Sequence, residues 1–119
     1  MVKIALYLCG YLRESDNLSI KNLKKFIGTN DVDIFVSTYD TYFNHGEKIN
    51  INFEDLPIKE IKIEDENLII VPEEITENDK INSWKIWRKI NQCNKMRKKY
   101  EMDYRIKYDY CIRTRPDII

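Results

Sequence analysis

Two stretches near the start of the chain, Val2–Leu8 (VKIALYL) and Val32–Ser37 (VDIFVS), are apolar almost from end to end and rich in β-branched and aromatic residues. A strand with one face in water alternates apolar and polar residues, whereas a strand covered on both faces does not. Both runs therefore predict strands buried between two layers. Gly10 ends the first run. Between the two lies a helical stripe, Ile20, Leu23 and Ile27, with Lys21, Lys24 and Lys25 off it and Gly28 placed to stop it. A helix joining two strands carries the chain back to its starting edge, so the second strand runs parallel to the first. The expected fold class is α/β and Rossmann-like, a mainly parallel sheet flanked by helices.

The remaining segments extend this pattern. Thr41–Asp55, with many Asn and the pair His45-Gly46, reads as a loop. IKEIKI, residues 58–63, alternates apolar and charged side chains and predicts an exposed edge strand or a hairpin arm. NLIIVPEE predicts a short buried strand closed by Pro72. From about Asn78, residues Ile81, Trp84, Trp87, Ile90, Cys93, Met96 and Tyr100 recur every three or four positions, the mark of one long helix with a single apolar stripe, capped by Asn78 or Asp79. KYDYCIR then predicts a buried strand with Tyr108, Tyr110 and Ile112 on one side. The 119 residues suffice for one domain and one core.

A net charge of zero hides a division along the chain. Residues 1–79 hold 8 Lys/Arg against 16 Asp/Glu, and residues 80–119 hold 12 against 4. The basic end is suited either to an anion or to pairing with the acidic end. The three cysteines, Cys9, Cys93 and Cys111, have no metal-ligand spacing, and Cys9 and Cys111 sit in apolar runs. They read as reduced core thiols of a cytoplasmic protein. The opening MVKIALYLCGYL lacks a small-residue cleavage site, so a first strand is expected rather than a leader. No run reaches the roughly 18 apolar residues of a membrane span.

The polar residues of interest follow the strands. Gly10 allows a sharp turn that exposes amides, and Arg13 three residues later can grip phosphate oxygens with two prongs. At the end of the last strand, RTRPD places Arg113, Arg115 and Asp117 on one face, with Pro116 holding Arg115 extended. The arginines can neutralise a diphosphate, and Asp117 can take a divalent cation or a sugar hydroxyl. An Arg/Asp salt-bridge cluster fits the same residues. Gly10–Arg13, Ser37–Asp40 and Arg113–Asp117 all fall beyond the carboxyl ends of strands, where parallel sheets bind ligands. Trp84 and Trp87 read as core before ligand platform. His45, the single histidine, is a weaker candidate base. Neither GxGxxG nor GxxxxGK[ST] occurs.

The order LCGYLRE, DVDIFVSTYD, WRKINQCNKMRKKYE and YDYCIRTRPDII resembles a family of glycosyltransferase-like proteins whose corresponding motifs are a Ser-Gly-Gln-x-Arg type, DIFIHTWD, and YDxVIRxRxD. The resemblance implies the N-terminal part of a GT-A-like nucleotide-diphospho-sugar fold spanning residues 1–119 and incomplete at its C-terminus. It implies Gly10 and Arg13 near the nucleotide diphosphate, Asp40 near the base or ribose, Lys89 near the donor, and Asp117 at the last aspartate of a DxD motif that binds manganese or magnesium. Cys9 and Tyr11 stand where the family has serine and glutamine. Arg115 stands where it has the first DxD aspartate, putting a positive charge where the family uses a metal. The function implied is transfer of a sugar from a nucleotide diphosphate to an acceptor hydroxyl. The alternative is a non-enzymatic interaction module using the basic helix to meet nucleic acid or a protein partner. A homodimer covering the last strand's edge is a further expectation.

Overall fold

The computed structural model describes residues 2–10, 23–28, 30–40 and 56–114. Four strands, β1 (Lys3–Cys9), β2 (Asp31–Tyr39), β3 (Ile58–Glu64) and β4 (Tyr110–Thr114), form one sheet in the order β3-β2-β1-β4. Every pairing is parallel. Residues 23–27 are helical (α1), and Asn78–Tyr104 form the 27-residue helix α2. This is the α/β, Rossmann-like arrangement expected from the two apolar runs.

Side-chain alternation sorts the sheet into two cores. On one face Ile4, Leu6 and Leu8 of β1 and Val32, Ile34 and Val36 of β2 pack with Leu23, Phe26 and Ile27 of α1. On the other, Ala5, Tyr7, Cys9 and Phe35 pack with Cys93, Met96 and Tyr100 of α2 and with Tyr108. Both central strands are thus covered on both faces, which is why they read as unbroken apolar runs. Tyr7, Tyr100 and Tyr108 each meet the Phe35 ring edge-on, at centroid distances of 5.8–6.3 Å.

The order of strands matters most for function. From β1 the chain steps outward to β2 and β3, then returns through α2 to lie on the other side of β1 as β4. Neighbouring strands β1 and β4 are therefore where the winding reverses, and the connections leave to opposite faces. Such a switch point opens a crevice beyond the carboxyl ends of the two strands.

Several expectations need correction. NLIIVPEE is not a buried strand: Glu66–Leu68 form a 3-10 turn, and Leu68 and Ile70 are 78% and 88% exposed. β3 is already an edge among the described strands, so no neighbour there rewards extended backbone. For residues 58–63 the edge-strand reading holds, parallel to β2 and outermost among the described strands, and the hairpin-arm reading does not. β4 is not buried either, since Tyr110–Ile112 and Arg113 are exposed and α2 covers β1 and β2 instead. Tyr108 precedes β4 and turns to the α2 face, whereas Tyr110 and Ile112 align with Ile4 and Leu6 and take the α1 face. Cys111 is accordingly exposed, and the buried thiols are Cys9 and Cys93. Glu77, with no side-chain cap bond, stands at the N-cap of α2 in place of Asn78 or Asp79. Ile20, the loop residues 41–55 and His45 lie outside the described residues.

Candidate functional site at the carboxyl edge of the sheet

The parallel sheet brings Gly10, Ser37–Asp40 and the end of β4 to one edge. Gly10 follows β1 with φ of 100°, a conformation in which a side chain is strained. Its N–H donates to the Ser37 carbonyl at 3.0 Å, and its own carbonyl accepts from the Thr38 hydroxyl at 2.7 Å. The turn after β1 is thereby stitched to the end of β2. Asp40 donates its N–H to the Glu64 carbonyl at 2.9 Å, tying β2 to β3 at the same level.

Lys89 is fully buried, which the sequence did not predict. It occupies the core-facing position of α2 and donates to the Thr38 carbonyl at 2.9 Å and to Glu64 Oε1 at 2.7 Å, with its ammonium 4.3 Å from the Tyr39 ring centre. Arg88 grips both oxygens of the same carboxylate, at 2.6 and 2.8 Å, and the Gln92 amide donates to it at 2.8 Å. Gln92 also accepts from the Ser37 hydroxyl. Glu64 is thus held well below the usual carboxylate range by Arg88 first and by Lys89 and Gln92 with it. Burial lowers the Lys89 ammonium, and the Glu64 carboxylate opposes that shift.

Sequence reasoning found Lys89 only through the family resemblance and missed Glu64, Arg88 and Gln92. Positions 88, 89 and 92 share one helical face and interrupt an apolar stripe with three hydrogen-bonding side chains. That interruption was the available signal. It also displaces Trp87, 68% exposed, from the core position its spacing suggested.

A groove of about 610 Å³ follows the flank of α2, lined by Trp84, Trp87, Arg88, Ile90, Asn91 and Asn94. Asn94 accepts from the Tyr7 hydroxyl at 2.8 Å and from Arg97 at 2.9 Å. Arg97 also donates to the Tyr7 oxygen, while burial pushes that phenol up to about 12. Tyr7 stands opposite Arg113 in the β1–β4 register, so the Asn94 end of the groove is one strand away from Arg113. Arg113 is exposed, and among the described residues no carboxylate pairs with it. Its charge reaches Cys9 at the end of β1.

Of the candidates read from sequence, Gly10, Asp40 and Arg113 lie at the carboxyl edge, and Lys89 reaches the backbone of Thr38 there from α2. Arg13, Arg115 and Asp117 lie outside the described residues. Among the described residues no three His, Cys, Asp or Glu side chains gather to hold a metal ion, and Glu64 already has cationic partners. Asp117, the expected ligand of manganese or magnesium, is one of the residues outside the described set. Among the described residues no helix is long and apolar enough to cross a membrane. No protein-family model, curated protein or solved structure matches this chain.

Proposed function

We propose that the chain is a glycosyltransferase-like domain that binds a nucleotide-diphospho-sugar at the β1–β4 switch point. The observation that carries the reading is the position of Gly10 and Arg113 at the carboxyl ends of the two strands between which the winding reverses. Glycine backbone at such a place lets a phosphate approach the main chain, and an arginine with no carboxylate partner among the described residues supplies the charge. Asp40, on the next strand, is suited to ribose or base. The reaction this binding would serve is transfer of the sugar to an acceptor hydroxyl, with cations stabilising the departing diphosphate. In this reading Lys89 shapes the site through Thr38 and Glu64 and does not touch the donor, because its ammonium is buried and engaged.

The rival, a basic helix for nucleic acid, is less favoured because much of its charge is already paired. Lys85 meets Glu66, Arg88 and Lys89 meet Glu64, Arg97 meets Glu101, and Lys99 meets Asp103. Thermal-shift titration with uridine and guanosine diphospho-sugars, with and without manganese, separates the two. The proposal expects a concentration-dependent rise in Tm with at least one donor. No rise with any donor, together with salt-sensitive RNA binding, would favour the rival.

A further inference from the structure

Two thiols distant in the chain meet in the core beside this edge. Cys9 ends β1 and Cys93 lies one turn of α2 beyond Lys89; their Sγ atoms are 3.4 Å apart. Both are reduced, and they are 4% and 0% exposed respectively. The Cys93 thiol also lies 3.5 Å from the Phe35 carbonyl on β2. A disulfide needs the sulfurs to close by about 1.4 Å, a movement within reach of side-chain rotation between a strand end and one helical turn.

We propose that Cys9 and Cys93 form an oxidation site at which a hydroperoxide converts the pair to a disulfide, tying the carboxyl end of β1 to α2. The Cys9 thiolate attacks the peroxide, the O–O bond breaks, and the departing oxygen leaves as water or an alcohol once protonated. Cys9 is then a sulfenic acid. The Cys93 sulfur attacks the Cys9 sulfur, the S–O bond breaks, and hydroxide leaves with the Cys93 proton as a second water. Two thiols lose two protons and two electrons, and the peroxide takes up both to become water plus either water or an alcohol. The surroundings assign the order: Cys93 first, then Arg113 and Lys89, hold the Cys9 thiol below its ordinary value, while its partner and burial push Cys93 up. Cys9 is the attacking sulfur and Cys93 resolves it. Burial favours a water-sized oxidant over a bulky disulfide. The site stands whether or not the chain binds a nucleotide.

The test is treatment of the folded full chain with a small excess of hydrogen peroxide, alkylation in denaturant, and peptide mapping. The expected map shows one Cys9–Cys93 disulfide, Cys111 alkylated, and reversal by dithiothreitol. Tm should rise by at least about 5 °C in the oxidised form, because the bond closes a long loop. In Cys93→Ser, which keeps a hydrogen-bond donor beside Cys9 and removes the resolving sulfur, Cys9 should accumulate as a sulfenic acid trapped by dimedone. Full alkylation of all three thiols, oxidation confined to Cys111, or sulfinic acid at Cys9 of the unsubstituted chain overturns the proposal. Should Cys93→Ser fail to fold, the map of the unsubstituted chain decides alone.

Discussion

Replacing Glu64 with Gln keeps the shape of the side chain and removes its charge. In the structure that carboxylate is the counter-ion of a fully buried ammonium and of a guanidinium gripping it at 2.6 and 2.8 Å. Glu64→Gln leaves Lys89 with the Thr38 carbonyl, the Tyr39 ring and a neutral amide, and with Arg88 as an unscreened neighbour. Removing one partner of a buried pair costs about 3–5 kcal/mol, because the other charge stays desolvated. Against a total of roughly 5–15 kcal/mol that is a large share, and Tm should fall by on the order of 10 °C or more. Lys89→Met removes the cation and leaves the Arg88–Glu64 pair, so its cost should be smaller, about 1–2 kcal/mol. In the Lys89→Met background, Glu64→Gln should lose much of its effect. Chemical unfolding of the four proteins followed by circular dichroism measures all three differences. A Glu64→Gln cost below about 1 kcal/mol, or additive effects in the double variant, would refute the reasoning.

Three further outcomes follow from the same contacts. Because the folded-state pKa of Glu64 is depressed, the unfolded chain binds its proton first as pH falls. Its contribution is complete above the unfolded value of 4.5 and is lost progressively below it, so the urea midpoint should drop more steeply there than in Glu64→Gln. Tyr108→Phe removes the 2.6 Å bond to Asp33, which is 7% exposed, and should cost about 1–2 kcal/mol in equilibrium unfolding, with Lys3 and Lys59 at 3.8 and 3.9 Å limiting the loss. Arg113→Ala should leave Tm within about 1 °C, since the side chain is exposed and unpaired among the described residues, yet weaken nucleoside diphosphate binding by about tenfold or more in calorimetric titration.

The parts of the fold that were legible in sequence are those where one physical demand dominates. β1 and β2 are buried on both faces, so every residue reports the same requirement, and α2 is long enough for its period to show. Where two demands competed, the pattern misled. Leu68 and Ile70 sit in an apolar run, but the chain leaves β3 through a 3-10 turn and no described strand lies beside them. YDYCIR looks like a core strand, but it is the outer of the described strands beside β1, and α2 stops short of covering it. Helical periodicity located the α2 stripe without revealing which turn faces the centre. The long aliphatic stem of Lys89 lets a charged residue fill a core position, provided a carboxylate from another strand meets its end. That carboxylate, Glu64, is 25 residues away at the end of an exposed strand, where no local rule distinguishes it from its charged neighbours.

The central claim is that a diphosphate binds at the carboxyl ends of β1 and β4. Amide chemical shifts of the nitrogen-15-labelled chain during titration with uridine or guanosine diphosphate read that location residue by residue. Saturable changes at Gly10, Ser37–Asp40 and Arg113, with β3 and the final turns of α2 unmoved, are what the topology predicts. A full titration that leaves those amides still, or moves only the outer face of α2, would contradict it.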